Sequence, residues 1–192
     1  MLDLRPATTM MTSLVLGIRD DQLAAPTPCA EATAGDLLDH VAQLSLAFHA
    51  AAVKEPLAGG PPQPSASQLG DDWRTRIPQR LAALADAWED EAAWRGMTAA
   101  GGQDLPGELA GVIALNEVLI HGWDIAVASG QAFRAEPGLV EAAYGFVQPT
   151  AVANPQGTPG LFGPPVPVPE DAPLLDRLIG LSGRDPAWRA RR

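Results

Sequence analysis

An all-α bundle with a long proline-rich wrap is the fold class this sequence predicts, on three observations. Apolar residues recur at helical spacing in several separate stretches. No run alternates apolar and polar residues strongly enough to build a sheet. Prolines and glycines gather in two breaker-dense segments, "EPLAGGPPQPSASQLGDD" (55–72) and "PTAVANPQGTPGLFGPPVPVPEDAP" (149–173), which frame the helical stretches.

The first helix is expected over Thr8–Leu23, where Met11, Leu14, Val15 and Ile18 share a face, and it should stop before "APTPC". Thr33 suits the N-cap of a second helix, with Asp36 in its acidic first turn, running to about Lys54. A third helix is expected from about Asp71 to Arg95, with Trp73, Ile77, Leu81, Leu84 and Trp88 on one side. Pro78 should kink it or mark a later start. The fourth, "LAGVIALNEVLIHGWDIAVASG", is entered through "GGQDLPGEL" and ends near Gly130. Pro137, a good first-turn residue, opens a fifth helix to Val147. The wrap follows, then a short helix Pro173–Leu181 before "GRDPAWRARR". Residues 1–150 should therefore form the bundle, and 151–192 an extended segment whose short helix packs on the same domain.

Composition narrows the function. A chain of 192 residues, 46% hydrophobic, suits one domain with a real core. A net charge of -10 argues against nucleic acid or an anionic membrane as partner. The few basic residues are scattered, apart from Arg189, Arg191 and Arg192. The lone Cys29 points to a reducing, cytoplasmic setting, and the N-terminus does not read as a signal peptide. The fourth helix is apolar enough to suggest a membrane span, but ionisable groups at its centre would be costly in lipid, so it reads as a central bundle helix.

Those ionisable groups are the candidate site. At about 100° per residue, Glu117, His121 and Asp124 project from one face of the fourth helix, with Ile113 and Ile120. A carboxylate and an imidazole one turn apart can reach one metal ion. Asp124 is placed to hydrogen-bond the ring nitrogen of His121 that faces away from a metal. A third ligand has to come from another helix. His40 and His49 point in nearly opposite directions, and His40 lies nearer the centre of the apolar stripe Leu37, Val41, Leu44 and Phe48. The competing reading is an ordinary i, i+4 pair worth a few tenths of a kcal/mol, or three groups that only satisfy one another. An otherwise apolar helix requires such groups to be paired or metal-bound, because unpaired buried charge is expensive. Asn116, about 100° away from Glu117, has no role on this spacing.

Other features carry less. Cys29 reads as an inert thiol, with no histidine or basic residue close in sequence. Trp73, Trp88 and Trp94 read as core or pocket lining, and Asp71–Asp72 and Glu89–Glu91 as solvated faces. No glycine-rich stretch follows a strand, so a phosphate loop is not supported.

The segments "TPCAEATAGDLLDHV", "ALNEVLIHGWDIAVASGQ" and "FGPPVPVPEDAPLLDRLIGLSGRDPAW" resemble an actinobacterial family of metal-binding proteins. That family is similar to the metal-binding domain of mycothiol-dependent maleylpyruvate isomerase, within the DinB-like superfamily. The resemblance spans nearly the whole chain from Thr27 to Trp188. It implies a DinB-like antiparallel four-helix bundle that holds a divalent metal, usually zinc, with nickel or another divalent ion as alternatives. By motif, the ligands would be the histidine of "DLLDH", His40, and the glutamate and histidine of "NEVLIHGWD", Glu117 and His121. It further implies mycothiol as a cosubstrate and a small electrophile as substrate. Two departures stand out: Ala32 replaces a tryptophan usual before the second helix, and the resemblance does not extend to the isomerase's additional C-terminal domain.

Three ligands would leave a tetrahedral ion one open position, as in catalytic zinc sites. A thiol there is deprotonated and nucleophilic, which suits isomerisation or transfer, whereas water would give a hydrolase. A non-catalytic module that binds a metal or small ligand without turnover is the alternative from another class. Exposed apolar helices are also compatible with a homodimer.

Overall fold

Local chemistry at chain ends and turns sets the two helices that carry the candidate site. Helix α2 (Ala34–Ala52) starts at Thr33, whose Oγ1 accepts from the Asp36 amide at 3.2 Å while Asp36 Oδ2 accepts from the Thr33 amide at 2.9 Å. This reciprocal cap satisfies two donors that a helix start would otherwise leave open. Helix α5 (Gly107–Ser129) ends at Gly130, whose φ of +74° is left-handed and suits glycine. The computed structural model describes residues 1–30, 32–55, 57, 63–158 and 161–190. The centre of the breaker-dense segment 55–72, and Arg191 and Arg192 of the basic cluster, lie outside the described residues.

Helices α1 (Arg5–Gly17), α2, α3 (Trp73–Ala87) and α5 form the core, with α1 and α2 each packed against both α3 and α5. Helix α6 (Pro137–Ala153) lies on α5, and α7 (Leu174–Leu181) lies on α6. The all-α prediction holds with one local exception. Met97–Ala100 (β1) and Gln103–Pro106 (β2) form an antiparallel hairpin turned by Gly101 and Gly102, at φ +60° and +79°. Two glycines with positive φ make the tight turn that suits the twist of paired strands. Four-residue strands are too short for alternation to stand out, which is why the sequence pattern does not reveal them.

Several boundaries differ from the periodicity. Helix α1 starts at Arg5, with Pro6 in its first turn, and ends at Gly17 because Ile18 is extended. Asp20–Gln22 then forms a separate 3-10 turn. Gln131 Nε2 donates to Leu14 O at 2.9 Å and occupies the space that a side chain at Gly17 would need. The stretch expected as one helix from Asp71 to Arg95 breaks after Ala87, and Asp90 caps a short α4 (Glu91–Trp94) by accepting from the Ala92 amide at 2.8 Å. Pro78 lies inside α3, which starts upstream of it at Trp73. Helix α6 runs past the expected end at Val147 and past 150 to Ala153. Pro149 removes a bond to the Gly145 carbonyl there, and both residues are exposed, so water can take its place.

The indoles behave as core. Trp73, Trp88 and Trp94 are 4%, 1% and 8% exposed. Trp88 Nε1 donates to Phe48 O at 3.1 Å, and Trp94 Nε1 to Trp88 O at 2.8 Å, which satisfies both buried donors. The acidic runs Asp71–Asp72 and Glu89–Glu91 are exposed. Helix α5 is long and apolar enough to cross a membrane by length and composition, but most of it is buried among the other helices.

Candidate metal centre

Because α5 is enclosed by α1, α2, α4 and α6, any polar side chain on it must find a partner within the fold. Glu117 and His121, one turn apart, meet through Glu117 Oε2 and His121 Nε2 at 3.2 Å. From α2, His40 Nε2 reaches the same Glu117 oxygen at 3.4 Å. The two imidazoles stand edge to face with centroids 4.8 Å apart. One ligand atom from each of His40, Glu117 and His121 lies within 4.8 Å of the others, and His49 is not among them.

Next to His40, the first turns of α2 hold the loop ahead of α3. Asp36 Oδ1 accepts from the Ala66 amide at 2.7 Å, and Asp39 Oδ2 from the Ser65 amide at 3.0 Å. His40 keeps 28% of its side-chain surface exposed, against 14% for Glu117 and 10% for His121. The cluster is thus approached from the His40 side.

Behind His121, its Nδ1 lies 3.1 Å from Asp124 Oδ2. With the Nδ1 proton given to Asp124, Nε2 is the nitrogen turned toward Glu117 and His40. Asp124 is fully buried and pairs in turn with Arg184, Nη2 to Oδ2 at 3.1 Å and Nε to Oδ1 at 3.4 Å. Helical periodicity does not lead to Arg184, since it is 60 residues from its partner. The available signal was one arginine in "GRDP" just after an apolar helix. Cys29 is also closer to this chemistry than its sequence neighbours imply. One nitrogen of His121, one oxygen of Asp124 and the Cys29 sulfur lie within 4.8 Å of one another. Burial pushes the Cys29 thiol up, and nearby Arg184 only partly offsets this, so the group remains a thiol. Asn116 is 1% exposed, and its Oδ1 has no hydrogen-bond partner among the described residues.

The electrostatics follow from this chain of contacts. Burial disfavours charge on Glu117, yet the bonds from His121 and His40 outweigh it and hold the carboxyl well below the usual range. Burial likewise opposes charge on His121, but Asp124 and then Glu117 raise it to about 9. Without a metal the network is therefore two carboxylates around an imidazolium, with Arg184 closing one end.

The donors fit a divalent cation. Ligands about 2.0–2.1 Å from a tetrahedral zinc lie about 3.3 Å from one another. The Glu117 oxygen stands 3.4 Å and 3.2 Å from the two imidazole nitrogens. Two imidazoles and a carboxylate suit zinc and other divalent transition ions. Once His121 gives up its extra proton to become a ligand, the carboxylates Glu117 and Asp124 against the guanidinium of Arg184 leave a negative balance for a cation to neutralise. A surface cavity of about 510 Å³ lies elsewhere, lined by Arg5, Met10, Leu119, Arg134 and Glu136, and none of the three candidate ligands borders it.

Comparison with known proteins agrees with this fold. A structure described as the mycothiol-dependent maleylpyruvate isomerase superposes with a TM-score of 0.58 at 18% identity, covering 75% of this chain and 66% of that one. Two uncharacterized proteins of Mycobacterium tuberculosis, Rv0738 of strain H37Rv and MT0763 of strain CDC 1551, are each 32% identical over 183 residues, 93% of this chain and 93% of theirs. The model of the mycothiol maleylpyruvate isomerase N-terminal domain matches residues 4–126, a span that holds α1 to α5 up to Ala126 and all three candidate ligands. This chain belongs to the mycothiol maleylpyruvate isomerase N-terminal domain family.

Proposed function

We propose that this protein binds a divalent metal ion, zinc by preference, through His40, Glu117 and His121, and uses it with a small thiol such as mycothiol to act on a small electrophile, as a transferase or isomerase. The observation that carries this reading is the convergence of three donor atoms from α2 and α5 within 4.8 Å of one another, with the Glu117 oxygen 3.4 and 3.2 Å from the two imidazole nitrogens, close to the edge of a tetrahedral site. Family membership supports the thiol and the class of chemistry.

When bound, the ion would act as a Lewis acid that lowers the pKa of a thiol at its open position, so that the nucleophilic thiolate forms at neutral pH. The chain's own residues have distinct parts. Glu117 supplies negative charge between the two imidazoles and aligns both rings. Asp124 holds the Nδ1 proton of His121, so that Nε2 keeps a lone pair for coordination. His40, the most exposed of the three, lines the side from which thiol and electrophile approach.

Metal analysis of purified protein should find one equivalent of a divalent ion, lost in His40→Ala. Absence of a stoichiometric ion would overturn the metal reading. The metal-loaded protein should convert an electrophile from a panel of activated alkenes and halides only when mycothiol is present, with the thiol consumed in transfer and regenerated in isomerisation. Turnover by water without thiol would instead make it a hydrolase, and no turnover of either kind would leave a binding module.

A further inference from the structure

We propose that Arg184 is a positioning residue for His121, held in place by the proline-rich C-terminal segment, which makes that segment part of the metal centre. This rests on the metal reading above. Arg184 lies outside residues 4–126, the part of the chain the family model matches.

Arg184 and Asp124 face each other with two nitrogens toward two oxygens, at 3.1 and 3.4 Å, and both side chains are buried. Such a fork fixes the plane of the carboxylate as well as its charge. The oxygen that takes the 3.1 Å contact from Arg184, Oδ2, is also the one 3.1 Å from His121 Nδ1. The guanidinium therefore sets where that oxygen sits, and that oxygen sets the tilt of the imidazole. Without the guanidinium, Asp124 would lose the fork that fixes its plane, and a rotated carboxylate would loosen its grip on Nδ1.

The backbone delivers Arg184 by a helix-ending motif. At the end of α7 the Gly183 amide bonds Gly180 O at 3.0 Å and the Arg184 amide bonds Ile179 O at 3.1 Å, the paired bonds of a Schellman cap. Gly183 is left-handed at φ +82°, and a Cβ there would come within 2.8 Å of the Gly163 Cα. Arg184 Nη1 folds back on Ser182 O at 2.8 Å. The wrap pins α7 from outside. The Val166 amide bonds Gly180 O at 2.9 Å, and Val168 Cγ2 lies 2.4 Å from where a Gly180 Cβ would be. On the bundle side, Arg177 Nη2 bonds the Tyr144 hydroxyl on α6 at 2.7 Å. Two close approaches, Gly183 against Gly163 and Gly180 against Val166 and Val168, thus fix the position from which a single guanidinium enters the core.

Zinc affinity, measured by competition with a chromogenic chelator, and the ¹⁵N NMR signals of the His121 ring in metal-free protein together test the assignment. Arg184→Met keeps most of the side-chain volume without the charge. It should weaken zinc binding about 10–100-fold, the range for groups that orient a ligand, and should speed exchange of the His121 Nδ1 proton. Arg184→Lys should fall between it and wild type. Gly183→Ala leaves the guanidinium chemically intact but strains its delivery, and should reproduce part of both effects. Wild-type zinc affinity and ring signals in folded Arg184→Met, even with a lowered melting temperature, would reduce Arg184 to a structural role and overturn the proposal. If Arg184→Met does not fold, unchanged zinc affinity and ring signals in both Arg184→Lys and Gly183→Ala would overturn it instead. Should wild type bind no zinc, the metal reading falls, while the ring signals still decide whether Arg184 positions His121.

Discussion

From Gly107 to Leu115, α5 meets its neighbours with Ala110, Gly111 and Ala114 and buries no polar side chain; from Asn116 to Ala128 the same helix holds Asn116, His121 and Asp124 in the core, with Glu117 beside them. The first half is specified by shape. A Cβ on Gly111 would stand 2.5 Å from the Trp94 ring and 2.8 Å from Trp88, whose indoles are packed edge to face and each tied by its own N–H. The second half is specified by charge, since its ionised groups meet opposite charges supplied by α5 itself and by the chain after α7, with the His40 imidazole of α2 as a further polar partner. Shape and charge fail differently, so the two halves should separate when each is perturbed.

The largest effect is expected in the charged half. His121→Ala removes one donor and leaves Glu117 with His40 and Asp124 with Arg184, so zinc affinity should drop more than about 100-fold, beyond the range for groups that only orient a ligand. The dry half should keep its tryptophan fluorescence in this variant. A competition titration that still returned wild-type affinity would break the assignment of His121 as a ligand.

The complementary test is Gly111→Val. Two methyl groups have no space against fixed indoles, so overpacking should cost about 3 kcal/mol of unfolding free energy. Denaturant titration reads the loss, and zinc affinity per folded molecule should not change. A fall in both together would mean that the halves are coupled and the contrast between them is wrong.

How much of each half was legible in the sequence follows the same division. The charged half was visible early, because Glu117, His121 and Asp124 interrupt an apolar helix at spacings that share a face, and His40 lies near the centre of the α2 stripe. Local caps were equally visible at Thr33 and Gly130. Arg184 was hidden because its partner is distant in the chain, and Cys29 looked isolated for the same reason. In the dry half, Trp88 continued the α3 pattern through the actual break, since periodicity records which face is buried and not where the backbone turns. Proline chemistry predicts a kink or a later start at Pro78 and an extended wrap from Pro149, whereas α3 and α6 run through them.

A smaller effect concerns pH. Without metal, His121 is raised from an ordinary 6.5 to about 9, so the imidazolium stabilises the folded state fully below about pH 6.5 and loses that contribution as pH rises through 9. Glu117 is shifted the opposite way, so its contribution is present above its ordinary range and lost in acid. Metal-free protein should therefore lose on the order of 2 kcal/mol between pH 6.5 and 9. With zinc bound, His121 is already neutral at Nε2, and this decline should vanish. Melting temperatures measured across that window with chelator and with zinc should diverge on the alkaline side. Parallel curves would show that the His121 proton and the metal do not compete.

The smallest effect is expected where the two halves join. Asn116 begins the polar half, yet its Oδ1 has no partner among the described residues and it lies about 100° around the helix from Glu117. A buried amide oxygen left unpaired costs about 1–3 kcal/mol, whereas an apolar group of the same shape avoids that cost. Asn116→Leu is close to such a replacement, so unfolding free energy should stay within about 1 kcal/mol of wild type or rise, with zinc affinity unchanged. If Asn116→Leu lowers zinc affinity while Asn116→Asp does not, the polar atom serves the metal centre, and the charged half of α5 begins one residue before Glu117.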